Sequence, residues 1–167
     1  AGEAGSEKLS RYVDRIHTIA LIEDKLYRQE RFRAMDFGQF IDEYVEYMYD
    51  RFPDTAGRVT VRTEIDQKDL AIDRAVPCAL IVNELVDNAY RHAFGGRRSG
   101  RINVLLRRYG AFAVLEVNDA GTGYELAAGS VTPGLGLELV RILSEQLRGS
   151  LLFNNAPGAC CTIAFRL

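Results

Sequence analysis

The chain carries 167 residues, 47% of them hydrophobic and 26% charged, which excludes a disordered segment and fits one globular domain with at most a small appendage. Its 21 basic and 23 acidic residues leave a formal net charge of −2, no basis for general nucleic-acid binding. Three cysteines without a CxxC pair exclude a disulfide framework and a thiolate metal site, and they point to a reduced, cytoplasmic compartment.

From about Glu7 to Phe32 the pattern is helical. Leu9, Tyr12, Val13, Ile16, Ile19, Ala20, Leu26 and Tyr27 recur at three- and four-residue steps and form one apolar face that requires a partner. A second amphipathic helix is expected over Phe37–Phe52, ended by Pro53, Asp54 and Gly57. Val59 to Ile65 alternates as a strand does, and a short strand-like piece follows at Leu70–Ile72. No apolar run reaches membrane-spanning length, and the N-terminus lacks a signal-peptide layout.

Pro77 to Phe94, PCALIVNELVDNAYRHAF, contains no internal Gly or Pro and is long enough for about five helical turns. Cys78, Val82, Leu85, Val86, Ala89 and Ala93 share one side of its wheel. Glu84, Asp87, Asn88 and Arg91 share the other, with His92 at the margin. Glu84 and Asn88 are neighbours at i,i+4, and Arg91 continues the row. An ordinary solvated face has the same composition.

Arg97, Arg98 and Arg101 sit among glycines and read as a solvated loop. Arg101–Arg107 and Ala111–Val117 read as a hairpin about Tyr109 and Gly110. Asn118–Pro133, with three glycines and one proline, reads as a loop. Leu135–Leu147 reads as a helix closed by a C-cap glycine, Gly149. Ser150–Asn154 and Cys160–Phe165 read as a last hairpin across Asn155, Ala156, Pro157 and Gly158. Mostly antiparallel strands with helices on one face describe an α+β fold, a two-layer α/β sandwich with an N-terminal amphipathic helical arm.

Two glycine motifs bear on function. Asn118-Asp119-Ala120-Gly121-Thr122-Gly123 follows a strand; a carboxylate there can accept from an amino group, and the glycines let a flat ring approach the backbone. Alone this is a weak signal, because D-x-G-x-G also occurs in ordinary turns. Gly134-Leu135-Gly136-Leu137 opens a helix, where free N–H groups and the helix dipole favour phosphate. A third Rossmann glycine is absent, as is a Walker loop. Asn88 and Glu84 offer the oxygen ligands that Mg²⁺ accepts alongside phosphate.

N-E-L-V-D-N-A-Y-R-H-A-F, then D-A-G-T-G, then G-L-G-L-E-L-V resembles, in this order, the N box and two glycine boxes of the GHKL (Bergerat-fold) ATPases. Among these the sequence is most similar to bacterial sensor histidine kinases. The resemblance spans about Pro77–Leu167. It implies ATP and Mg²⁺ as cofactors, with Asn88 on Mg²⁺ and Asp119 on the adenine amino group. Gly121, Gly123, Gly134, Leu135, Gly136 and Leu137 would form the base and phosphate walls, with Arg91 neutralising charge and His92 lining the site. Tyr124–Pro133 would be a short ATP lid. Glu84 would be the catalytic carboxylate, as general base or organiser of metal-bound water, or it would only orient its helix face.

Arg15-Ile16, Ile19-Ala20-Leu21-Ile22 and Leu26-Tyr27 resemble the second helix of the dimerisation and phosphoacceptor hairpin of HWE-related kinases. This divides the chain into an arm, 1–33, and an ATP-binding catalytic domain, 34–167. It implies a homodimer through the arm and a response regulator or phosphoacceptor domain as partner. Two departures stand out. The only histidines are His17 and His92, and His17 is followed by Thr18 where the family's phosphoacceptor has an acidic residue. It reads as a lone surface or interface histidine, so the phosphate would go to a histidine outside this chain. Gly158 is followed by Ala159 where many members have threonine, a loss of one hydroxyl worth roughly 1 kcal/mol. The alternatives are a GHKL serine kinase of the anti-sigma-factor type and a phosphotransfer scaffold with a vestigial nucleotide domain.

Overall fold

A computed structural model describes residues 9–10, 12–13, 15–23, 34–55, 57–94, 99–124, 126–127, 130–131, 134–155 and 157–167. The described residues within 9–23 are helical and form α1; Leu26, Tyr27, Phe32, Arg97 and Arg98 lie outside the described residues. The order continues β1 (Ala34–Asp36), α2 (Phe37–Arg51), a 3₁₀ turn (Pro53–Thr55), β2 (Val59–Ile65), β3 (Asp69–Ala71), α3 (Ile72–Asn88) and a π-helical turn (Ala89–Ala93). After these come β4 (Gly100–Tyr109), β5 (Phe112–Asp119), β6 (Leu126–Ala127), β7 (Ser130–Val131), α4 (Leu135–Gln146), β8 (Ser150–Asn155) and β9 (Ala159–Arg166).

The main sheet runs β2-β4-β5-β9-β8. Its first pair is parallel, with Val59 opposite Gly100, and the rest are antiparallel. Period-two alternation places Ile102, Val104, Leu106, Leu115, Val117, Ile163 and Phe165 on the face that the helices cover. Phe37, Phe40, Tyr44 and Met48 of α2 and Ile81, Val82 and Val86 of α3 complete that core. Complete burial of side chains this large contributes roughly 2 kcal/mol each. The other sheet face is polar. Arg62 and Arg107 pair with Glu64 there, and Asn103 donates to Asn118 Oδ1 at 2.6 Å.

β1 and β3 pair antiparallel, Ala34 opposite Ala71, and tie together the starts of α2 and α3. Phe37 N also donates to Lys68 O at 2.6 Å, and Asp36 caps α2 by accepting from Gln39 N at 2.8 Å.

Four sequence expectations are corrected. The helix expected from Pro77 starts at Ile72 and contains Pro77, and its last turn widens to π at Ala89–Ala93. Proline lacks an N–H, so the turn around it forgoes one ladder bond, which the buried Cys78, Ala79 and Ile81 beyond it outweigh. The strand-like piece is Asp69–Ala71, with Ile72 already helical. The left-handed residue after α4 is Arg148 (φ 51°), not Gly149. Gly149 is small for another reason: a Cβ there would sit 3.0 Å from Ala164 O. Within the expected loop, β6 and β7 form a two-residue pairing.

Candidate functional site

Three segments meet around the C-terminal half of α3. The first is the helix itself. Glu84 is only 8% exposed; it is not on a solvated face. Arg15 of α1 donates Nε–H to Oε1 at 2.5 Å and Nη2–H to Oε2 at 2.8 Å, a fork-on-fork pair. That hydrogen bond with Glu84 holds the Arg15 guanidinium above its ordinary pKa. Asn83, 2% exposed, accepts from Thr18 Oγ1 at 2.9 Å and donates to Glu84 Oε1 at 3.3 Å. Asn88 is half-buried.

Arg91 points away from this group. Its Nε–H donates to Asp87 Oδ1 at 2.7 Å and Oδ2 at 2.9 Å, and its Nη2–H to Ser10 Oγ at 3.1 Å. The guanidinium lies 5.4 Å from the Phe52 ring centroid. Arg91, the residue expected to neutralise nucleotide charge, is thus paired within its own helical stretch and packed on Phe52. His92 is exposed, and His17 stacks on Tyr47 at 3.7 Å between centroids.

The second segment is the turn after β5. Asp119 is buried at the strand end, and its Oδ1 accepts from Gly121 N at 2.7 Å and Ala159 N at 3.3 Å. One glycine, Gly158, makes room for it, and a second, Gly121, makes room for the turn that ends α3. A Cβ at Gly121 would sit 2.4 Å from Ala93 O, and one at Gly158 would sit 2.4 Å from Asp119 O. Thr122 N donates to Ala93 O at 3.1 Å, so the turn is fastened to the end of α3. Gly123 takes φ +84°. Beside it Asn155 clamps Tyr124, accepting from its N–H at 2.7 Å and donating to its carbonyl at 3.0 Å. Burial also pushes the Tyr124 hydroxyl pKa up.

The third segment is the start of α4. Glu138 N to Gly134 O is the first bond of its ladder, so the N–H groups of Leu135, Gly136 and Leu137 precede it. Gly134 is exposed with open space where a Cβ would be. A Cβ at Gly136 would meet Glu84 Oε2 at 2.7 Å. The start of α4 and the Glu84 carboxylate therefore touch. A cleft of about 590 Å³ on the bare side of the sheet, lined by Arg58, Thr60, Arg101 and Asn103, shares only Asp119 with this constellation.

Sequence reasoning missed Arg15, Thr18, Asn83, Asn155 and Gly158. Asn83 carried a signal, a polar residue between the apolar run Ala79–Val82 and the expected site residue Glu84. The partners from α1 and β8 carried none, because their contacts span 69 and 31 residues.

Residues 73–167 match the family described as histidine kinase-, DNA gyrase B-, and HSP90-like ATPase, and residues 1–52 match a histidine kinase family, HisKA_2. The chain belongs to the first of these, as an ATPase-fold domain of the histidine kinase type. It is 28% identical over 171 residues to the sensor histidine kinase PdtaS of Mycolicibacterium smegmatis, covering 100% of this chain and 34% of that protein. Against PdtaS of Mycobacterium tuberculosis it is 29% identical over 158 residues, 91% of this chain and 30% of that protein. The chain thus spans about a third of these relatives. The histidine kinase domain of the Erythrobacter litoralis EL346 blue-light activated kinase superposes with a TM-score of 0.80 at 20% identity, over 94% of this chain and 75% of that one. Acinetobacter baumannii histidine kinase AdeS superposes at 0.67 with 22% identity, over 96% and 79%. The fold is the α+β histidine kinase catalytic fold expected from the sequence. Among the described residues no helix is long and apolar enough to cross a membrane.

Proposed function

We propose that this chain is the ATP-binding catalytic portion of a two-component sensor histidine kinase. It would hold Mg·ATP for phosphoryl transfer to a histidine outside this sequence. The observation that carries this reading is the Asp119 carboxylate, buried at a strand end with Gly121 N donating to it and Gly158 leaving room beside it.

The residues present fit the nucleotide. Asp119 would accept from the adenine amino group, and the missing Cβ at Gly158 leaves its carboxylate in place. The first-turn N–H groups of α4 would bind phosphate oxygens, aided by the helix dipole. Asn88, whose side chain makes no hydrogen bond among the described residues, would supply a neutral oxygen to Mg²⁺. ATP supplies a transferable γ-phosphoryl group. The protein's share of catalysis in such transfers is positioning and charge stabilisation. Glu84 would orient metal-bound water from its place against Gly136. His92, exposed in the π-helical turn after α3, would line the site. Residues 1–33 would act as the arm and 34–167 as the catalytic domain.

The partners implied are a response regulator or phosphoacceptor domain and a second copy meeting this one along α1, in the cytoplasm. Nothing in the site favours the anti-sigma or scaffold alternative, and the match of residues 1–52 to a histidine kinase family speaks for an arm of the kinase type. Titration calorimetry with Mg·ATP tests the reading. Asp119→Asn should weaken binding at least tenfold, as expected for the loss of about 1.5–3 kcal/mol in a hydrogen bond to a charged group. Equal affinities in two proteins of equal melting temperature would refute the adenine assignment.

A further inference from the structure

The candidate catalytic carboxylate is already occupied by this chain. Both oxygens of Glu84 accept from Arg15, and Oε1 also accepts from Asn83. Oε2 faces the first turn of α4, where a Cβ at Gly136 would lie 2.7 Å away. Arg15 and Asn83 take three of the carboxylate's four or so acceptor positions and leave one on Oε2, and the guanidinium neutralises the charge that would attract a metal ion. Arg15 and Mg²⁺ are two cations competing for one anion.

The contact that delivers Arg15 is built to exchange. α1 meets α2 and α3 through Arg15–Glu84, Thr18–Asn83, Ser10 with Arg51 and Arg91, and His17 stacked on Tyr47. Only Ile22 of its described apolar residues is fully buried, while Leu9 and Ile16 are each 65% exposed. Polar bonds can be replaced by water bonds at modest net cost, whereas buried apolar area cannot.

We propose that Arg15 is a positioning residue that latches Glu84. With α1 docked, Glu84 is withheld from the metal. When Mg·nucleotide claims Glu84, the latch opens and α1 loosens on α2 and α3. This inference rests on the nucleotide-site reading above. By linkage the coupling is reciprocal, so whatever frees Glu84 from Arg15 also tightens Mg·nucleotide binding.

The test uses the full chain with Mg²⁺ and a non-hydrolysable ATP analogue, and the analogue in EDTA as the metal-free arm. Amide hydrogen exchange over residues 9–23 should speed up on adding the Mg·analogue and stay unchanged with the analogue alone. Arg15→Gln should raise affinity for the Mg·analogue about fivefold or more, within the usual range of coupling between sites, and leave the metal-free affinity unchanged. Arg15→Lys, which keeps one cation but loses the fork, should fall between. In Glu84→Gln the exchange response to metal should vanish. Weaker Mg·analogue binding in Arg15→Gln would overturn the latch and make Arg15 a phosphate contact. An exchange rate in α1 indifferent to the Mg·analogue, with binding intact, would also overturn the latch while leaving the nucleotide site standing. No binding by the unmodified chain under either condition would overturn both readings.

Discussion

Helices α1 and α3 touch one another, and each inverts the usual arrangement of an amphipathic helix. α3 buries Asn83, Glu84 and Asp87, the residues a surface helix would show to water. α1 does the opposite. It turns Ser10, Arg15 and Thr18 inward and leaves Leu9, Tyr12, Val13, Ile16 and Ile19 exposed. The two inversions explain one another. Buried polar groups are tolerated only when paired; α1 brings partners to Asn83 and Glu84, and Arg91 pairs with Asp87. An apolar stripe left outside marks a surface for association, in keeping with a kinase arm that pairs with its copy.

That contrast can be broken in three ways. The largest effect is expected from Asp87→Ala, which removes the carboxylate from the Arg91 guanidinium where little water reaches it. Removing one member of a largely buried pair should cost about 3 kcal/mol of stability in urea unfolding. A smaller loss is expected from Thr18→Val, which leaves Asn83 Oδ1 without its nearest donor. The effect should be about 1–2 kcal/mol, appearing as faster exchange in α1 with the melting temperature of the sheet unchanged. Ile16→Glu should be nearly silent in stability, within about 0.5 kcal/mol, because the side chain is exposed. The same variant should abolish self-association in analytical ultracentrifugation. A loss of stability from Ile16→Glu would mean that the stripe is packed on its own domain.

Legibility in the sequence followed the range of the interaction. β2 was readable to the residue, because alternation is local. The turn at Asp119 was readable because its glycines and carboxylate lie within five positions of one another. α3 was misjudged at its start, since a proline five residues into a helix looks like a beginning when only local preference is weighed. β1 and β3, three residues each, have no room for a period and exist because they pair with one another. Arg91 fell on the right wheel face beside Asn88. Periodicity allowed its i,i+4 pair with Asp87 but could not show the bond to Ser10 from another helix. The Arg15–Glu84 pair, across 69 residues, left no trace in either local pattern.

The carbonyl of Ala93, accepting from Thr122 N at the close of the widened turn, acts as a ruler. It joins the Asp119 turn to the helix that carries Asn88 through a bond between backbone atoms, so the side chain of the exposed Thr122 can change without changing the spacing between them. A single inserted residue would move Asn88 and Asp119 out of step.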